Sequence, residues 1–148
     1  MHVTAKVDYA VRAMVELAAA GGSFLKGKAI ADAQQIPPGF LENILIELRH
    51  AGLIRSRRGP SGGHRPARPS EEITLAEVIR AVEGPIASIR SEGPEDVTYI
   101  GTAGPLREVW FALRANMRAV LESVTLADIA SGELPLEVQR LTEQSGSP

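Results

Sequence analysis

"RSRRGPSGGHRPARP", residues 55–69, holds five arginines, three prolines, three glycines and no acid. Three readings are open: a disordered basic linker, a loop that cradles a nucleotide phosphate, or a folded element that grips a polyanion. The nucleotide-loop test fails, because "GPSGG" leads into neither a helix nor a Lys-Ser/Thr pair. The flanks decide between the other two. "LIRSRR" and "HRPARP" are short extended runs around a Gly/Pro turn, which is the grammar of a β-hairpin. Pro66 and Pro69 cannot donate to a ladder, so the second run is expected on an edge or only partly paired.

Upstream, "PGFLENILIELRHAG" predicts a helix that buries Leu41, Ile44, Leu45 and Leu48 on one stripe, opened by Pro38 and closed by Gly52. Its other face presents Gly39, Phe40, Glu42, Asn43, Glu47 and Arg49. A short helix is expected over "KGKAIADAQQ", with Ile30 and Ala33 inward. A longer one fits residues 4–20, with Thr4 as N-cap and Val7, Val11, Met14 and Ala18 inward. Downstream, "EEITLAEVIRAVEG" reads as a helix with a capping box, Thr74 as N-cap and Glu77 three residues on. Residues 86–104 show no sustained period and read as a loop. From Pro105, Leu106, Trp110, Leu113, Met117, Val120 and Val124 recur at intervals of 4, 3, 4, 3 and 4. That spacing serves a two-helix seam, or a helix packed on its own domain. "TLADIASG" adds a short capped helix.

The totals describe one domain with an attached element: 148 residues, 44% apolar, 23% charged. Net charge is −2, but residues 1–69 carry ten Lys/Arg against five Asp/Glu, and residues 70–148 carry six against thirteen. A basic half joined to an acidic half suggests that one end meets a polyanion. There is no cysteine, which excludes disulfides, thiolate catalysis and Cys-ligated zinc or iron–sulfur centres. The opening residues have no signal-peptide pattern and no run is long and apolar enough to span a bilayer, so the expected location is the cytoplasm, without membrane contact. No catalytic set is found: no Ser-His-Asp arrangement and no paired carboxylates on one face. The expectation is a protein that is not an enzyme.

Three helices followed at once by a basic hairpin describe a mainly α fold, a winged helix-turn-helix. The third helix fits the major groove of DNA, and the hairpin arginines reach the backbone or minor groove. The expected division is residues 1–84 for DNA binding, 85–104 as a connecting or sensing loop, 105–131 as a dimerisation helix with a short following helix, and 132–148 as a flexible tail.

"YAVRAM", "FLENILIELRHAGLIRSRRGPSGGHRPARPSEEITLAEVIRAVEG" and "PLREVWFALRANMRAVLESVTLADI" resemble successive blocks of the Rrf-two family of bacterial transcription regulators. The resemblance covers about residues 2–130. It implies a homodimer whose long helix, through Leu106, Trp110, Leu113, Met117, Val120 and Val124, meets a second copy. It also implies a pseudo-palindromic DNA operator and, most simply, repression. By position it places Gly39, Glu42 and Asn43 on the base-reading face, and Arg58 and Gly59 on the minor-groove contact. Glu42 can accept from cytosine N4, and Asn43 can pair with adenine. Lys6, Lys28, Arg49, Arg57 and Arg65 are assigned to phosphates. Phe40, Ser61, Gly62, Gly63 and His64 complete the candidate DNA-contacting set. A protein–protein adaptor that keeps the fold without DNA binding is the alternative.

The chain departs from that family in two places, the first being the interval ahead of the long helix. Many members hold an iron–sulfur cluster with three cysteines there, but "IRSEGPEDVTYIGTAG" has none. The expectation is therefore no cofactor and no metal, with any small-molecule or protein effector left open. Asp8 is expected as a helix N-terminal charge or a local salt-bridge partner rather than a ligand. His2, His50 and His64 lack the spacing of a metal site. His64 and Pro66 replace the residues usual in the wing, and His64 suggests that DNA affinity varies near pH 6–7.

Overall fold

Thr4 starts the first helix, accepting from the Val7 amide and capping α1 (Ala5–Ala19). The computed structural model describes residues 2–146. Met1, Ser147 and Pro148, which the expected first domain and tail include, lie outside them. α1 buries Val7, Ala10, Ala13, Met14 and Leu17. It is the central post of the fold, touching the second, third, fourth and sixth helices and the second strand. Val11 and Ala18, expected inward, are half-buried at its flanks.

α2 (Gly27–Gln34) turns Ile30 and Ala31 to the core. Ala33, expected inward, is exposed. In a helix of eight residues the inward stripe is only two positions wide, and Ala31 takes the second. Gln35 adopts a left-handed conformation, φ 52°, and reverses the chain into α3 (Pro38–His50). α3 buries Leu41, Ile44, Leu45 and Leu48 and ends at Gly52, φ +77°. Arg49 and His50 lie in its last turn, where the helix dipole favours cations.

The hairpin follows directly, β1 (Ile54–Arg57) against β2 (Gly63–Pro66), in antiparallel register with Ile54 opposite Pro66 and Arg57 opposite Gly63. The sheet has only these two strands, so β2 is an edge strand, as expected. Its other side bridges to Leu25, with His64 and Leu25 exchanging amide-to-carbonyl bonds of 2.7 and 2.8 Å. Alternation of bonded and non-bonded pairs reconciles this with proline. His64, and therefore Pro66, turns its amide position away from β1, so the ladder between the strands loses no donor.

α4 (Leu75–Glu83) begins with the Thr74–Glu77 capping box. The residues after it, 85–104, are irregular, but Ile86, Pro94 and Val97 are buried. The long α5 (Leu106–Ser123) has no fully buried residue. α6 (Leu126–Ser131) starts with a second capping box, Thr125 with Asp128. Two backbone bonds, Leu75 amide to Val124 carbonyl and Leu126 amide to Ile73 carbonyl, both 3.0 Å, tie the starts of α4 and α6 together. Val124 thereby becomes a core residue, 3% exposed, and not the last position of an open stripe. Residues 132–148 were expected as a flexible tail, yet Leu136–Gln144 form α7 after Pro135, with the Gln139 side-chain Nε2 donating to the Leu134 carbonyl at 2.7 Å. Its residues are good helix formers, and Pro suits the entry to a first turn.

Candidate nucleic-acid interface

The first turn of α3 projects from the fold. Gly39, Phe40, Glu42 and Asn43 are all exposed, and the space where a Gly39 side chain would stand is open. Glu42 forms no ion pair among the described residues. Glu47, at the far end of the same face, is half-buried and holds the Lys6 ammonium at 2.9 Å. Lys6 is therefore turned to the protein, away from the phosphate role expected of it. Lys28 is paired with Asp32 at 2.7 Å, and the Asp32 hydrogen bond and charge raise its pKa. Both side chains stand in water, so this is a weak pair. Asp8 pairs with Arg12 at 2.9 Å, as expected.

Beside α3 the hairpin folds over an aromatic residue that the sequence reading did not single out. The guanidiniums of Arg57 and Arg65 stack on the Phe24 ring at 4.1 and 4.7 Å from its centroid, an attraction between cation and ring face. Arg57 also donates to the Ser61 carbonyl at 2.8 Å, so it braces the turn. The turn is closed by the Gly62 amide on the Gly59 carbonyl at 3.0 Å, with Pro60 between them, a position that suits its fixed φ. The Lys26 ammonium caps the same Gly59 carbonyl.

Gly62 and Gly63 do not serve as surface contacts. Both are buried. A Cβ at Gly62 would fall on the Arg57 carbonyl, and one at Gly63 on the Leu25 carbonyl, where φ is also +137°. Their part is to let three stretches of backbone approach closely, which corrects the assignment of both to DNA contact. Arg58, Gly59 and Ser61 remain exposed at the tip.

Between the hairpin, the end of α3 and the start of α2 lies a basic cleft of about 440 Å³, lined by Lys26, Gly27, Arg49, Ser56, Arg57, Arg58, Gly59, Gly63 and His64. No side chain caps α2, and its N-cap Lys26 and first residue Gly27 line this cleft, where a helix N-terminus favours an anion. Arg49 and Arg58 form no ion pair among the described residues. His64 shares a 2.8 Å hydrogen bond with the Ser56 hydroxyl. Burial, and then the charges of Arg49 and Lys26, push its pKa below the ordinary value. A pH response of His64 therefore belongs on the acid side of the window expected from the sequence.

On α5, Leu106, Trp110, Leu113, Met117 and Val120 are each half-buried. Trp110 donates its indole N–H to the Tyr99 hydroxyl at 2.7 Å. Arg114 reaches the Glu95 carboxylate at 2.5 Å, and Arg107 reaches the Glu95 carbonyl at 3.1 Å. These bonds dock the irregular segment on α5.

The model of the Rrf2 family, described as iron-dependent transcriptional regulators, matches residues 3–132. The Mycobacterium tuberculosis protein Rv1287 is 51% identical over 144 residues, covering 97% of this chain and 89% of that protein. The HTH-type transcriptional regulator CymR of Bacillus subtilis is 33% identical over 132 residues, covering 88% and 91%. The solved structure of B. subtilis CymR, described as the global cysteine regulator, superposes with a TM-score of 0.75, covering 88% of this chain and 97% of that one. IscR of T. potens superposes at 0.71 with 30% identity, covering 89% and 88%.

The family description names iron, and the donors here do not fit an iron–sulfur cluster. Such clusters are held by thiolates, and the chain has no cysteine. Among the described residues no three His, Asp or Glu side chains gather into a group that could hold a metal ion. Also among them, no helix is long and apolar enough to cross a membrane. A helix-turn-helix with a basic wing, matched over nearly its whole length by regulators of one kind, has one family assignment: the chain belongs to the Rrf2 family of DNA-binding transcriptional regulators.

Proposed function

We propose that this regulator is a repressor that binds a pseudo-palindromic operator as a homodimer and holds no iron–sulfur cluster. The observation that carries the reading is the unpaired N-terminal face of α3 standing beside a cleft lined with cations. Glu42 and Asn43 read bases in the major groove, Glu42 accepting from cytosine and Asn43 pairing with adenine. Arg58, at the wing tip, enters the minor groove, where negative potential is concentrated. One backbone phosphate sits in the cleft, held by the open end of α2, Lys26 and Arg49. Lys28 exchanges Asp32 for a neighbouring phosphate. Repression is carried over from the regulators that the sequence resembles, and the cytoplasm is where such a protein would meet its operator.

The test is selection of genomic fragments by the purified protein, with metal analysis of the same sample. The expected result is one inverted-repeat site. Its log affinity should fall linearly with log salt as phosphate-bound cations release counterions. Arg58→Ala should weaken binding, and Glu42→Ala should relax one position of the site by about 1–3 kcal/mol of discrimination. Enrichment of no site would favour an adaptor. Bound iron near one equivalent would overturn the cluster-free reading.

A further inference from the structure

Phe40 is 60% exposed on the projecting turn of α3, and nothing in the fold requires it there. Its ring is nonetheless held. Tyr9 meets it edge-on, with centroids 6.2 Å apart and planes at 61°, a favourable aromatic geometry. Tyr9 carries the Arg12 guanidinium 5.0 Å from its own centroid. Arg12 is fixed in turn by Asp8 at 2.9 Å and by the Gln34 carbonyl at 2.6 Å. A ring buttressed from α1 and from the end of α2 is preorganised for contact.

Its neighbours narrow what it contacts. Pro37 and Pro38 have no amide N–H, and Gly39 has no side chain with open space around it. The leading edge of α3 is therefore an apolar step, and the hydrogen-bonding groups Glu42 and Asn43 follow within the next turn. On the base edges of the major groove, the apolar feature is the thymine C5-methyl group. Resting on the reading that α3 enters that groove, we infer that Phe40 is a specificity residue that reads a thymine methyl in each half-site.

Uracil differs from thymine by that methyl alone, so replacement of each operator thymine by deoxyuridine isolates the contact. Wild-type protein should lose about fourfold in affinity at one thymine per half-site, the ~0.8 kcal/mol of one methylene-sized group withdrawn from water. Phe40→Ala should bind thymine and uracil sites equally, and Phe40→Leu should keep part of the preference. The Phe40→Ala protein should show the helical circular dichroism and melting temperature of the parent, since the ring is largely exposed. Operator binding with no sensitivity to uracil at any position would overturn the inference. So would a Phe40→Ala protein that discriminates as the parent does. Both outcomes leave the DNA-binding reading standing, whereas failure to bind any fragment would remove both.

Discussion

Burial against the wing and the charges of Arg49 and Lys26 make His64 reluctant to take a proton. The unfolded chain, with a histidine pKa of about 6.5, takes that proton first. The stability that His64 contributes is therefore complete above this value and declines as pH falls below it. Between about pH 7.5 and pH 5 the melting temperature of the wild type should fall more steeply than that of His64→Gln. Parallel curves would show that the wing does not hold the imidazole in its neutral form. The same environment explains which site residues could be found from sequence. The exposed position of Glu42 and Asn43 on α3 was legible from helical spacing, whereas the role proposed for Arg58 rests on the family resemblance. Phe24 was not, because its partners Arg57 and Arg65 reach it from strands more than thirty residues on. Lys6 looked like any basic residue ahead of a helix-turn-helix. Its commitment to Glu47 depends on how α1 crosses α3, which no local pattern encodes.

The Thr74–Glu77 box shows how one short motif can brace two helices. Thr74 caps α4 through the Glu77 amide at 3.3 Å, and Glu77 returns a bond to the Thr74 amide at 3.0 Å. Burial alone would push the Glu77 carboxyl up, but Arg68, at 2.6 Å, and the Thr74 amide hold it below its usual range. Thr74 also faces Thr125 in the bridge that joins the starts of α4 and α6. Thr74→Ala should cost about 1 kcal/mol, the ordinary worth of an N-cap, measured as a lower urea midpoint with an unchanged slope. An effect below about 0.3 kcal/mol would mean that the bridge alone positions the two helices. Elements that carry their own start and stop signals, α1, α3, α4 and α6, were readable for that reason. β2 is the edge strand its prolines announce, but its one outer bridge, to Leu25, was not legible because a single bridged residue has no strand pattern. α7 was missed because it is a short segment of nine residues that buries none of them in the core.

α5 is about 27 Å long at 1.5 Å per residue, yet no residue in it is buried. Its principal helical neighbour is α4, and the segment before it is docked through Tyr99 and Glu95. One flank of the Leu106–Val120 stripe is thus occupied within the chain, and in the proposed homodimer the other flank meets a second copy. A second copy crossing there would bring two recognition helices onto one duplex, the arrangement that the proposed half-sites, one helical turn or roughly 34 Å apart, require. The basic front half and acidic rear half agree with it, since the acidic part is then carried away from the phosphates. Val124 separates this account from mere packing. Leu113→Glu with Met117→Glu should leave a folded monomer by sedimentation velocity. Its affinity for a two-half-site operator should fall roughly a hundredfold or more as the second attachment is lost. Val124→Ala, a cavity in the core of a single chain, should instead cost about 1–3 kcal/mol of unfolding free energy and leave the folded protein dimeric. A glutamate pair that stays dimeric, or a Val124→Ala protein that dissociates at full stability, would place the interface elsewhere on the molecule.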